Sequence, residues 1–138
     1  MIIKRNKYIP CQGYKAIFLF GILFVKGDAK IDDVTMNHES IHSKQYVETG
    51  LLSLLLLLPL LFNGLWWLWL LLSVFAFYIV YVAEWLVKFF TNKFDMHTAY
   101  KKVSFEREAY NNEDDFEYLE ERKLFAWVKY LKRSNRIV

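Results

Sequence analysis

The feature that most constrains this chain is a run of 35 residues, Thr49 to Ala83, that contains no Asp, Glu, Lys or Arg. All 18 basic and 15 acidic residues lie in the two flanks. Such a run excludes an ordinary soluble domain and a disordered chain, because neither leaves so long a segment uncharged and apolar. As one helix the run would reach about 52 Å, well beyond a hydrocarbon core of about 30 Å. A single straight membrane span therefore fits it poorly.

A turn signal near the middle of the run divides it into two arms. Asn63-Gly64 is a turn dipeptide, and Pro59 precedes it. We expect a transmembrane helical hairpin, with one helix and first span over about 34–62 and a second span over about 65–90. The turn carries no Lys or Arg, whereas both flanks carry many, so the positive-inside rule puts both termini in the cytoplasm. The sequence predicts an integral protein of the cytoplasmic (inner) membrane, with the lipid bilayer as a partner.

The flanks add smaller elements, so that residues 1–138 form a single, mainly α-helical membrane domain. A small N-terminal β element is expected over about 14–31, with Gly21 as a bulge. Its apolar stretch also resembles a secretory signal, but no small-residue cleavage site follows it. Residues 104–132 are expected to supply two cytoplasmic helices, the first capped by Ser104 and the second amphipathic from about Asp114.

Charge and cysteine content exclude other classes of protein. The net charge of +3 divides into seven basic against five acidic residues before Thr49 and eleven against ten after Ala83. No basic stripe interleaved with aromatic residues results, so nucleic acid is not an expected partner. Cys11 is the single cysteine, which excludes an internal disulfide framework and a cysteine-based metal site.

The first flank carries the chemistry, in the H-E-x-x-H motif His38-Glu39-Ser40-Ile41-His42. Helix positions four residues apart share a face, so both imidazoles can bind one metal ion. Glu39 then lies close enough to act on a water molecule that the metal activates. The motif uses two of the 3 histidines in the chain. The alternative interpretation is two solvated or membrane-interface histidines on a helix face.

A hydrolytic zinc site needs a third protein ligand and an open fourth position for water. The downstream candidates are Glu106, Glu108 and His97. The alternative interpretation of either glutamate is a solvated helix charge. The residue types alone leave the choice of the third ligand open.

The order of these motifs resembles the gluzincin metalloproteases, which carry H-E-x-x-H on one helix and a ligand glutamate on a later helix. The stretch Glu106 to Tyr110 resembles the glutamate helix of membrane-embedded gluzincins, where Ala follows the ligand Glu by three residues. The resemblance implies Glu106 as the third zinc ligand and Glu39 as the general base. Larger membrane gluzincins carry Asp after that Ala, where this chain has Tyr110, so the usual support for the first histidine is not matched.

The stretch Asn37 to His42, with Gln45, is followed by the two expected spans and then by the glutamate helix. This arrangement is similar to that of small membrane proteins described as minimal gluzincins. The predicted function is zinc-dependent hydrolysis of peptide bonds in a peptide or protein substrate at the cytoplasmic membrane interface. The first alternative is a non-catalytic zinc-binding membrane protein with a structural or sensing role. The second is a membrane adaptor with an accidental motif. Glu39 favours catalysis, because a structural site needs no general base. The sequence is compatible with an oligomer and does not set the number of chains.

Glu84, which closes the uncharged run, is a candidate for holding a ligating histidine. The antiparallel register of the hairpin puts it level with about Ser43, next to His42, where a hydrogen-bonding partner is needed. An i,i+4 ion pair with Lys88 explains Glu84 equally well.

Three residues are candidates for stabilising the oxyanion of the transition state, namely Arg107, Tyr110 and His97. The sequence does not choose among them. The strand expected within Ala16 to Val25 offers an edge on which an extended substrate can add by backbone pairing.

Overall fold

The computed structural model describes residues 2–9, 15–27 and 29–132, and the statements below concern those residues. The fold is mostly helical, with a small three-stranded sheet at the N-terminus, as the sequence predicted in outline. The strands are β1 (Ile2–Asn6), β2 (Ala16–Leu19) and β3 (Ile22–Lys26). The helices are α1 (Asp33–Leu56), α2 (Leu58–Phe62), α3 (Trp66–Thr91), α4 (Met96–Lys101), α5 (Ser104–Asn112), α6 (Tyr118–Glu121) and a 3-10 helix (Ala126–Leu131).

The sheet has the order β1-β3-β2, with β3 pairing antiparallel to β2 and parallel to β1. Phe20 and Gly21 join β2 to β3 with φ angles of 50° and 83°. Two positive φ angles are what a two-residue hairpin turn requires. Gly21 is therefore part of a hairpin turn, and its prediction as a bulge is wrong. β1 lies before the expected element of residues 14–31, of which residues 14 and 28 are outside the described part of the chain.

The sheet packs on α1, the helix that carries the H-E-x-x-H motif. Ala16, Leu23 and Val25 form a buried cluster against which Met36 of α1 packs. Asp32 caps the start of α1 by accepting a hydrogen bond from the Thr35 backbone N–H at 2.8 Å. The motif therefore lies in the second and third turns of a capped helix that packs against the sheet.

The expected continuous helix over residues 34–62 is broken at Leu57, between α1 and α2. Pro59 is the cause, because a proline inside a helix removes a backbone donor and clashes with the preceding turn. It is tolerated in the first turn of a new helix, which is where α2 places it.

α3 packs antiparallel to α1, as expected for a hairpin, but in a different register. A Cβ atom added at Gly50 would lie 3.5 Å from the Ser73 carbonyl oxygen, and the Trp69 indole N–H donates to the Leu54 carbonyl at 2.9 Å. These contacts are about one helical turn away from the expected register. The chain reverses over the whole of α2 and the following turn, and not at Asn63-Gly64 alone.

Among the described helices, α3 is the one that is long and apolar enough to cross a membrane. Only 17% of the most apolar 18-residue stretch of α3 is buried within the chain. Most of the apolar end of α1 and of α2 is also exposed, with Leu55 at 71% and Phe62 at 79%. The break at Leu57 leaves this part short, so a second span is not shown by the structure.

α5 begins close to the predicted start, but Val103 is its N-cap and Ser104 is its first residue, so the prediction of Ser104 as the cap is wrong. The expected amphipathic helix over 114–132 is also wrong. α6 ends after four residues, the chain is extended at Arg122, and Phe125 is left-handed with φ 56° before the 3-10 helix begins. Arg122 explains the break, because its side chain turns inward to reach Glu48 and Glu108. The returning segment places Trp127 in the core against Phe105, Val103 and Phe77.

Candidate metal centre

Three predicted ligands meet where α1 packs against α5. His38 and His42 lie one turn apart on α1, with their Nε2 atoms 3.1 Å from each other. Glu106, in the first turn of α5, places Oε1 3.3 Å from His42 Nε2 and Oε2 3.5 Å from His38 Nε2. All three side chains are buried, and their ligand atoms lie within 4.8 Å of one another.

The arrangement fits a metal ion. Four ligands at about 2.0–2.1 Å in a tetrahedron leave about 3.3 Å between neighbouring ligand atoms. The observed separations, from 3.1 to 3.5 Å, lie on both sides of that value. Glu106 Oε2 is buried and accepts no hydrogen bond from the described residues, which a nearby cation would compensate. Two imidazoles and a carboxylate are a ligand set that suits zinc.

The charged forms of Glu106 and His42 stabilise each other. Burial alone would raise the pKa of Glu106, but the two histidines beside it hold that pKa well below its usual range. Burial alone would lower the pKa of His42, but the Glu106 carboxylate outweighs it and raises this pKa to about 9. The site thus favours a charged carboxylate in the interior, opposite the His42 imidazole.

Glu39 lies beside the triad without belonging to it. Burial raises the pKa of its carboxyl group, and the neighbouring His42 and His38 oppose that rise. The backbone N–H of Phe18, in β2, donates a hydrogen bond to the same carboxyl group. Glu39 is therefore next to both the ligand histidines and the outer edge of the sheet.

His38 is held by a residue that the sequence did not suggest. Its Nδ1 lies 2.7 Å from Glu113 Oε2, just after α5. The Tyr110 ring packs edge-on against the His38 ring at a centroid distance of 4.8 Å. Glu113 follows Glu106 by seven residues, a spacing that puts both on one helix face, and this signal could have identified it.

The same region is fixed by a neighbour of the motif. The Asn37 side-chain amide donates to the carbonyl oxygens of Asn112, Glu113 and Asp115, at 2.9–3.1 Å. This clamp holds the end of α5 against α1 and so keeps Glu113 beside His38.

His42 is held by Gln45, and the prediction of Glu84 for that role is wrong. Gln45 Oε1 lies 2.8 Å from His42 Nδ1. Glu84 Oε2 instead accepts hydrogen bonds from the Ser104 backbone N–H at 3.0 Å and hydroxyl at 2.6 Å. The alternative ion pair with Lys88 is present at 3.6 Å. The shifted register of the hairpin brings Glu84 to the start of α5, where it caps the helix that carries Glu106.

Three other sequence candidates lie away from the triad. His97 is exposed on α4. The Arg107 guanidinium donates to the carbonyl oxygens of Tyr130 and Lys132, in the C-terminal segment. Glu108 is fully buried but contacts Arg122, at 2.6 Å, and not the ligand histidines. Of the oxyanion candidates, only Tyr110 contacts a ligand.

Two tyrosines that sequence reasoning missed reach Glu106. The Tyr81 hydroxyl, on α3, donates to Glu106 Oε1 at 2.8 Å. The Tyr100 hydroxyl, on α4, hydrogen-bonds Glu106 and also Tyr110, and burial with the nearby Glu106 charge raises the pKa of Tyr100. They come from two other helices, α3 and α4, and no local pattern marks them.

The described residues thus combine a buried triad, a carboxyl group beside it and a strand edge next to that carboxyl. This geometry is compatible with activation of a water molecule next to an extended peptide. Comparison of the chain with family models, with curated proteins and with solved structures finds no significant match.

Proposed function

We propose that the chain is a zinc-dependent membrane metallopeptidase of the gluzincin type, which hydrolyses peptide bonds at the cytoplasmic membrane interface. The observation that carries the proposal is the convergence of His38, His42 and Glu106 into one buried group, with Glu39 beside it. The substrate is a peptide or protein segment that reaches this interface.

The roles of the residues follow from their positions. His38, His42 and Glu106 would hold the ion through one atom each. When bound, zinc supplies Lewis acidity, which polarises a carbonyl group and lowers the pKa of a water molecule. Glu39 accepts the proton of the attacking water and passes it to the leaving amine. Among the three oxyanion candidates, Tyr110 is the one that lies beside the triad, and its hydroxyl group would stabilise the developing oxyanion.

The outer edge of β2 favours an extended peptide as the substrate. Phe18 directs its backbone N–H to Glu39, and Phe20 donates its backbone N–H to the Tyr78 hydroxyl at 2.8 Å. Both groups therefore point away from β3, on the side where no further strand is paired among the described residues. An extended peptide added along this edge would lie beside the proposed base.

For the membrane topology, we propose a two-span hairpin with both termini cytoplasmic. α3 forms one span, and the exposed apolar end of α1 together with α2 forms the other. The polar first half of α1, which carries the motif, then lies at the interface, where water is available. The absence of Lys and Arg at the Asn63-Gly64 turn supports the orientation.

A non-catalytic zinc protein with a structural or sensing role is the second candidate. One observation favours it, since His38, His42 and Glu106 are exposed by only 8%, 7% and 3%. A structural site is closed to solvent, whereas a catalytic one keeps an open position. Catalysis is preferred because Glu39 has no task in a purely structural site.

Zinc analysis of the purified full chain tests the site. The wild type should contain about one zinc ion per chain, and His38→Ala, His42→Ala and Glu106→Ala should lose it. His97→Ala is the matched control, because His97 is exposed and outside the triad. A wild type without zinc, or a triad variant that keeps it, would refute the proposed ligands. Zinc without any peptide cleavage would favour the structural role.

A further inference from the structure

A second buried polar cluster, which the proposed reaction does not use, joins α1, α5 and the segment after α6. It consists of Glu48, Glu108 and Arg122, whose side chains are exposed by 7%, 0% and 3%. Arg122 Nη2 lies 3.0 Å from Glu48 Oε2, and Arg122 Nε lies 2.6 Å from Glu108 Oε1. One guanidinium therefore pairs with two buried carboxylates.

Gln45 connects this cluster to a metal ligand. Its side-chain amide nitrogen donates to Glu108 Oε2 at 3.0 Å and to the Phe105 carbonyl at 3.1 Å. Its amide oxygen faces His42 Nδ1 at 2.8 Å. Gln45 is fully buried, so water cannot replace any of these three partners.

The chemistry of the partners fixes the direction of every hydrogen bond. A backbone carbonyl and an ionised carboxylate only accept, so Gln45 must turn its NH2 group towards Phe105 and Glu108. The amide oxygen is then the only group left for His42, and it accepts as well. His42 Nδ1 must therefore carry a hydrogen, so Nε2 is the ring atom through which His42 can bind a metal.

We infer that Gln45 and Glu108, which Arg122 holds in place, are positioning residues that orient His42 to coordinate a metal through Nε2. The inference rests on the proposed metal centre and adds the part of the chain that sets the chemistry of one ligand. It also gives the inward turn of Arg122 a role in the site. Tyr118 supports the same carboxylate by donating its hydroxyl to Glu108 Oε1 at 2.8 Å.

The competing explanation is that the cluster only stabilises the fold. Two substitutions separate these explanations, because Glu48→Gln and Glu108→Gln each remove one carboxylate from Arg122. Only Glu108 contacts Gln45. In Glu108→Gln, residue 108 can offer an NH2 group in place of an acceptor, so only the Phe105 carbonyl still orients the Gln45 amide and its hold on His42 weakens.

The first measurement is the zinc affinity of the detergent-solubilised full chain, by competition with a chromogenic chelator. Gln45→Met and Glu108→Gln should each raise the zinc Kd by about 10- to 100-fold. Glu48→Gln should change it by less than about threefold, although its Tm falls with that of Glu108→Gln.

The second measurement is ¹⁵N NMR of labelled histidines in the zinc-loaded chain, which contains 3 histidines. Wild-type His42 should show a coordinated Nε2 and a downfield Nδ1 proton, with exposed His97 as the internal reference. Gln45→Met should lose the downfield signal, and Glu48→Gln should keep it. Wild-type affinity in Gln45→Met, or equal losses in Glu48→Gln and Glu108→Gln, would overturn the inference. Absence of peptide cleavage with this affinity pattern intact would refute the catalytic proposal alone.

Discussion

Replacement of Glu39 by glutamine tests the proposed mechanism most directly. Glu39 follows the ligand His38, and it accepts a hydrogen bond from the Phe18 backbone N–H. Glutamine has the same size, and its amide oxygen can accept the same hydrogen bond. The substitution therefore removes a basic carboxylate and leaves the local structure otherwise unchanged.

The expected size of the effect differs between rate and stability. General-base assistance is worth about 10²- to 10⁴-fold in rate, which corresponds to about 3–5 kcal/mol in the activation barrier. Stability should not fall, because burial raises the pKa of Glu39 and so disfavours its charged form in the folded chain. A neutral amide removes that unfavourable charge burial, and the Tm should stay equal to the wild type or rise slightly.

The assay follows cleavage of an internally quenched peptide library by the detergent-solubilised, zinc-loaded chain. Glu39→Gln should reduce cleavage below detection, with zinc content unchanged. Glu120→Gln is the matched control, because it makes the same chemical change at an exposed residue of α6, away from the site. It should cleave at the wild-type rate.

Two results would refute this reasoning in different ways. If Glu39→Gln loses its zinc, Glu39 is a ligand and the proposed coordination is incorrect. If it cleaves as fast as the wild type and Glu120→Gln, it is not the base and the proposed proton transfer fails.

Further predictions concern topology, metal and pH. Cysteines introduced at Asn63 and Glu120 should be labelled from opposite sides of the membrane, and labelling from the same side would exclude the hairpin. Glu113→Gln should weaken zinc binding about tenfold by releasing His38, as measured by chelator competition. An unchanged Kd would show that Glu113 does not hold His38 for zinc binding. In the zinc-free protein, the pKa of His42 is raised from 6.5 to about 9, which gives stability that is present below pH 6.5 and lost as the pH rises through about 9. The zinc-free Tm should fall over that interval, and Glu106→Gln should flatten the fall; a wild-type Tm independent of pH would contradict the ion pair.

The proximity of His38, His42 and Glu106 could be predicted from the sequence because its main part is local. Two histidines four residues apart on a helix share a face whatever the rest of the chain does. Glu106 was harder, since only the resemblance distinguished it from Glu108, and the structure places Glu106 with the histidines.

The supporting residues could not be predicted, because they depend on contacts between distant elements. Glu84 was assigned from an ideal hairpin register, and the reversal over α2 moved it by about one turn. Arg122 was read as part of an amphipathic helix, since no local pattern shows that two buried carboxylates await it. Local periodicity thus predicts helices and strands, whereas long-range charge pairing determines where the helix expected over 114–132 is broken.

The outer edge of β2 has an energetic consequence for any strand that joins it. Its Phe18 and Phe20 backbone donors already have acceptors, in the Glu39 carboxyl group and the Tyr78 hydroxyl. An incoming backbone would exchange these two hydrogen bonds for others, and each bond is worth only about 0.5–1.5 kcal/mol net even when newly formed. Strand pairing by itself then adds little affinity, so the edge resists association with other chains and would release a peptide quickly unless side chains hold it.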